Sequence, residues 1–131
     1  MVSEKTAVRT EQAPAPFQGS PYSQAIRAGE LVFVSGQLGV RPGSHEMAGD
    51  TIAVQTEQVF ANLAAILEAS GSGLDRLVKT TVYLTSLADF QAMNEVYRQH
   101  VGDVPPARAT LEVAALPSGA LIEIEAIALV R

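Results

Sequence analysis

Leu121-Ile122-Glu123-Ile124-Glu125-Ala126-Ile127-Ala128-Leu129-Val130-Arg131 is the stretch on which the fold turns. It alternates with the period of two that a β-strand requires, so successive side chains point to opposite sides. Ile122, Ile124, Ala126, Ala128 and Val130 share one apolar face, suited to a layer of helices. Leu121, Glu123, Glu125, Ile127 and Leu129 share the other, where two carboxylates stand among large apolar groups. A free sheet face of that kind points to a partner. Packing such faces together in a closed oligomer is the simplest solution.

Working back from that strand, two helices are expected. Val54, Val59, Phe60, Leu63, Ile66 and Leu67 recur at three- and four-residue spacing, with Asp50 or Thr51 to cap the start and Gly71 to end the helix. Ser86 caps a second, in which Leu87, Phe90, Met93, Val96 and Tyr97 form the stripe, and Gly102 with Pro105-Pro106 stops it. Between them Leu77 to Leu84 reads as a strand with Val78, Val82 and Leu84 on one face. Arg108 to Ala114 is another strand, followed by a turn at Leu116 to Gly119. Upstream, Ser23 to Ala28 and Leu31 to Gln37 form a hairpin closing near Gly29, and Arg41 to Asp50 is a loop. A short strand fits Ala7 to Thr10. Residues 1–20 are otherwise the loosest part, 1–12 above all, with Ala13-Pro14-Ala15-Pro16 held extended by its prolines. The order is β-β-α-β-α-β-β. Two helices can cover only one face of such a sheet, so an α+β fold is expected.

The chain has 131 residues, which suits a single domain over 1–131. Hydrophobic residues at 47% against charged residues at 18% exclude disorder as the dominant state. The absence of cysteine excludes disulfides, thiolate nucleophiles and cysteine-held metals. Nine basic against fourteen acidic side chains give a net charge of −5, which argues against nucleic acid as a partner. Met1 to Glu11 lacks the apolar core of a signal peptide, and Ala126 to Val130 is too short an apolar run to span a bilayer. A soluble, cytoplasmic chain without a membrane partner is expected. His45 and His100 are the only histidines and lack zinc-site spacing; no metal is expected. No G-x-S-x-G elbow occurs, and Gly71-Ser72-Gly73 follows a helix, as a C-terminal cap does.

Arg108 follows Pro105-Pro106-Ala107 and opens a strand, where a rigid approach would hold its guanidinium. It could clamp a carboxylate through two parallel hydrogen bonds or form an internal salt bridge to Glu112, Glu123 or Glu125. Glu123, flanked by isoleucines, could be a general base or water-positioning group, or a structural partner for an arginine. Periodicity does not choose between it and Glu125. Tyr22, in a Gly-Ser-Pro-Tyr turn, and Ser35, beside Gly36, could hydrogen-bond a small polar ligand or simply pack.

Taken in order, Pro21-Tyr22-Ser23-Gln24-Ala25, Val34-Ser35-Gly36-Gln37, Asn62-Leu63 and Val78-Lys79-Thr80-Thr81-Val82-Tyr83-Leu84 form one set with Asp89-Phe90, Met93-Asn94, Pro106-Ala107-Arg108 and Ile122-Glu123-Ile124-Glu125-Ala126. Over roughly residues 13 to 131 this set resembles the RidA (YjgF-type) enamine/imine deaminases. The resemblance implies a chorismate-mutase-like fold, a mixed β-sheet with two helices packed on one face, and a homotrimer with sites between neighbouring subunits. It implies hydrolysis of 2-imino acids, such as 2-iminopropanoate and 2-iminobutanoate, to 2-oxo acids and ammonia, with no cofactor. It assigns Arg108 to the substrate carboxylate and Glu123 to water. Tyr22, Ser35, Gly36, Asn94 and Thr110 are assigned to substrate binding. The chain departs from the family pattern at Ser20, often glycine, and at Thr110, often cysteine. Two other functions share the same features: a non-catalytic sensor of 2-oxo acids or amino acids, and an endoribonuclease, which the acidic charge disfavours.

Overall fold

The alternating strand Ile122–Leu129 (β6) lies inside the sheet, with a neighbour hydrogen-bonded on each side. The computed structural model describes residues 4–131. The other strands are β1 Lys5–Val8, β2 Ala25–Ala28, β3 Leu31–Leu38, β4 Leu77–Leu84 and β5 Ala107–Glu112, in the spatial order β1-β2-β3-β6-β4-β5. β4 and β5 run parallel and every other pair is antiparallel, so the sheet is mixed. A parallel pair needs a crossover. It is supplied by helix α2, Phe90–His100; α1, Ile52–Ala69, connects β3 to β4.

The face of β6 read as apolar is the core face. Ile122, Ile124, Ala126 and Ala128 are buried, together with Val59, Phe60, Leu63, Ile66 and Leu67 of α1. Thr51 caps α1 by accepting the Val54 N–H, and Gly71 at φ +78 ends it. Asn62, wholly buried on α1, donates to the carbonyls of Leu38 and Val40 and so fixes the exit of β3 against the helix.

Four expectations are corrected. Val78 does not share a face with Val82 and Leu84. Leu77 pairs with Ala128 and Lys79 with Ile127, so Val78 is the extra residue of a β-bulge and turns outward, 38% exposed. Leu87 is 47% exposed because Leu87–Asp89 forms a 3-10 turn ahead of α2, out of phase with the buried stripe Met93, Val96 and Tyr97. Val54, in the first turn of α1, is exposed and packs over Gly49; Ile52 is buried instead. The N-terminal segment is not loose where described. β1 pairs with β2, and the buried Gln24 side chain bonds Thr10 through both its backbone groups and donates to the carbonyls of Ala13 and Pro14. The expectation for residues 1–3 lies outside the described residues.

Candidate active site

Glu123 owes its position to an irregularity in the neighbouring strand. Val34 pairs with Ala126 and Gln37 with Ile124, so Ser35 and Gly36 together face the single residue Glu125. This bulge re-aims the backbone. Gly36 then lies directly over the Glu123 side chain: a methyl group there would come within 2.8 Å of Cδ and closer still to Oε2. Glycine is required for that close approach, with no demand on φ. The carboxylate enters a cleft of about 390 Å3, walled by Ser35, Gly36 and Leu38 of β3, by Pro117, and by Phe17, Ser20 and Tyr22 of the N-terminal segment. Burial pushes the Glu123 carboxyl above its usual range, and the neighbouring Glu125 charge adds to the effect. Glu125 itself accepts a hydrogen bond from the Tyr83 hydroxyl at 3.0 Å.

The hydroxyls of the cleft are partly committed. Ser35 Oγ donates to the Ser23 carbonyl at 2.6 Å and Ser20 Oγ to the Phe17 carbonyl at 2.6 Å. Tyr22 Oη accepts the Phe17 N–H at 2.7 Å and keeps its own proton to donate. Tyr22, Ser35, Gly36 and Glu123 are thus brought together.

Arg108 lies elsewhere. On β5 it faces α2, where Nη1 donates to Asn94 Oδ1 at 2.8 Å and Cζ stands 4.7 Å from the Tyr97 ring centre and 5.5 Å from that of Phe90. Tyr97 is anchored in turn by a 2.6 Å hydrogen bond with the buried Thr80. Two rings and an amide therefore hold the guanidinium without neutralising it. Among the described residues no carboxylate forms an ion pair with Arg108, contrary to the salt-bridge alternative. Glu112 accepts the Leu87 N–H, while Glu123 and Glu125 lie on the other face of the sheet. Two residues on, Thr110 Oγ1 is buried without a hydrogen-bond partner. Such an atom is costly unless something supplies the missing bond.

Within one chain the two groups of residues do not meet. Glu123 pairs with Tyr83 and Tyr83 with Leu111, three residues beyond Arg108. Two strand spacings and three residues separate them by about 10 Å in each direction, and they project from opposite faces of the sheet.

Reading the residues alone missed Phe17, Leu38 and Pro117, which wall the cleft, and the aromatic seat made by Phe90 and Tyr97. Tyr97 and Phe90 carried a helical-stripe signal that was read as core; nothing in the spacing of Phe17 or Pro117 marked them.

The family model described as "Endoribonuclease L-PSP" matches residues 10–130. The chain belongs to the RidA (YjgF-type) family. It is similar to other RidA family members over nearly its whole length. "Reactive Intermediate Deaminase A, chloroplastic" of Arabidopsis thaliana is 49% identical, covering 95% of this chain and 66% of that protein. The human protein named "2-iminobutanoate/2-iminopropanoate deaminase" is 42% identical, covering 89% of this chain and 85% of that one. The crystal structure of RidA from the Antarctic bacterium Psychrobacter sp. superposes with a TM-score of 0.91 at 43% identity, covering 95% and 99% of the two chains. The mixed sheet with two helices described above is the fold of this RidA structure. No helix among the described residues is long and apolar enough to cross a membrane.

Proposed function

We propose that the chain hydrolyses 2-imino acids, and their enamine tautomers, to 2-oxo acids and ammonia without a cofactor. The observation that carries the proposal is the Arg108 guanidinium, seated on Tyr97, Phe90 and Asn94 with no ion pair to a carboxylate among the described residues. A planar fork held in place and left unpaired is matched to a substrate carboxylate. The names of the human and goat relatives, 42% and 41% identical, support the reaction class. In this reading the active form is a homotrimer of chorismate-mutase-like subunits. Arg108, Asn94 and Thr110 of one subunit complete the Glu123 cleft of the next.

The chemistry asks little of the protein. Water adds through oxygen to the imine carbon while Glu123 accepts a proton from it. That proton returns to nitrogen, giving a carbinolamine. The remaining hydroxyl proton then passes to nitrogen as the carbonyl forms, the C–N bond breaks, ammonia leaves and the 2-oxo acid remains. Positioning the carboxylate and the water supplies most of the catalysis. An elevated Glu123 suits proton exchange near neutrality better than an ordinary carboxylate.

Arg108→Ala tests the assignment. The expected loss is on the order of 30- to 4,000-fold in kcat/KM for imine hydrolysis, with little recovery in Arg108→Lys and an unchanged oligomeric mass. Normal turnover by a folded, assembled Arg108→Ala protein would refute it. Tight 2-oxo acid binding by the wild type without ammonia release would favour the sensor instead.

A further inference from the structure

We infer that Phe17 determines specificity in the Glu123 cleft: with Leu38 and Pro117 it forms an apolar wall that takes the substrate side chain. The site then favours 2-imino acids with extended apolar side chains over those with a methyl group or an acidic chain. The inference rests on the hydrolase reading above and adds the part of the substrate which that reading leaves open.

The first argument is an inventory of what the cleft offers. Ser20 and Ser35 have already spent their protons on the carbonyls of Phe17 and Ser23. Glu123 is reserved for water and, as an anion, repels an acidic side chain. Among the described lining residues there is no cation to hold one. With the neighbour's Arg108 taken by the substrate carboxylate and its Asn94 and Thr110 beside it, this chain's own lining leaves the Tyr22 O–H and three apolar surfaces: the Phe17 ring, Leu38 and Pro117. At about 390 Å3 the cleft is in the size range of small-molecule sites, roughly 300–1,000 Å3. A methyl group would leave most of that wall uncovered.

The second argument is that Phe17 is held on several sides, so that the wall exists before the ligand arrives. Its N–H is fixed by Tyr22, and its carbonyl accepts from both the N–H and the Oγ of Ser20. The turn it opens runs through Gln18 at φ +54 and Gly19 at φ +67, so the backbone reverses sharply beside the cleft. Its ring meets His45 edge to face, 6.2 Å between centres at 71°. His45 is itself a non-glycine residue at φ +59, and its Nε2 lies 3.1 Å from the Ala15 carbonyl. The loop 41–50 therefore buttresses the segment that carries Phe17. A wall ordered in advance discriminates by contact rather than by rearrangement.

The test uses imines generated in the cuvette by amino-acid oxidases from alanine, 2-aminobutyrate, norvaline and glutamate, with semicarbazide trapping as the readout. In the assembled wild type, kcat/KM is expected to rise about 4- to 10-fold per added methylene and to be lowest for the glutamate-derived imine. Phe17→Ala should collapse the norvaline-to-alanine ratio about 10-fold, and Phe17→Leu should restore most of it. In parallel, calorimetry compares binding of 2-oxopentanoate and pyruvate to both variants and to wild type. A flat wild-type series, or a ratio indifferent to Phe17→Ala in a protein with normal melting, overturns the inference. If no imine is hydrolysed but 2-oxopentanoate binds more tightly than pyruvate only when Phe17 is present, the wall stands and the hydrolase reading falls. If neither turnover nor binding depends on chain length, the wall is refuted.

Discussion

Gly36 and Glu123 show how little space separates a working side chain from a misplaced one. Gly36→Ala asks nothing unusual of the backbone, yet its methyl would overlap the Glu123 carboxylate. The expected result is a protein with native secondary structure by circular dichroism and about 100-fold less imine turnover, since a displacement near 1 Å costs that much. Glu125 acts on the same carboxylate through charge. Burial is the larger cause of the raised Glu123 pKa, and Glu125 the smaller. In the proposed mechanism Glu123 must be ionised to accept a proton from water, so activity should fall on the acid side at a pH above the ordinary carboxylate range. Glu125→Gln removes a like charge, stabilises ionised Glu123 and should move that acid limb to lower pH. Glu123→Gln should instead lower kcat at every pH. A pH profile of kcat/KM for the three proteins decides the matter; an unmoved limb in Glu125→Gln would show that Glu123 is not the group being titrated.

At the scale of elements, the strength of the alternation decided what the residues alone revealed. β6 alternates without interruption, and every inward residue from Ile122 to Ala128 was legible from it. The strands on either side each contain a bulge, at Val78 in β4 and at Ser35-Gly36 in β3. A bulge adds one residue and inverts the period after it, and no local residue type announces it. That is why Val78 was placed on the wrong face, and why the aim of Glu123 could not be read from its position in the chain. Arg108 and Glu123 stood out by residue type and neighbours, but the roles proposed for them came from the family resemblance. Phe17 stayed hidden because its importance depends on where a turn and a distant loop carry it. The same lesson applies to Gln24, whose four hydrogen bonds tie the N-terminal segment to the start of β2. Gln24→Ala should cost about 2–4 kcal/mol in denaturant unfolding, with faster amide exchange at Thr10. Unchanged exchange would show that the prolines alone hold the segment.

For the whole molecule, the opposed placement of Arg108 and Glu123 makes a quantitative statement about assembly. In the proposed trimer, of about 41 kDa from three 13.8 kDa chains, each site takes one residue from each of two neighbours. Arg108→Ala and Glu123→Gln chains, each inactive, should therefore complement when denatured, mixed and refolded. Random mixing in equal amounts leaves three-quarters of the trimers with one intact site of three, about a quarter of the wild-type number. Sedimentation confirms the mass and imine turnover counts the sites. Recovery of no activity in well-formed mixed trimers would place both residues in one subunit's site or remove one of them from the chemistry. Phe33, 42% exposed on the uncovered face of β3, offers the complementary experiment. Phe33→Asp should yield a folded, smaller and inactive species, because a carboxylate is costly to bury in an apolar contact.

If sites form only between subunits, as proposed, a chain whose cation and carboxylate leave the sheet in opposite directions is also born silent. On that proposal each nascent polypeptide can finish its own hydrogen-bonded ladder and still possess no turnover, because half of the site would have to arrive by diffusion. Refolding from denaturant should then show two clocks. Ellipticity returns at a rate independent of dilution, while ammonia release follows after a lag that lengthens as the protein is diluted. An activity that recovers in step with ellipticity at every concentration would mean that a lone subunit is competent.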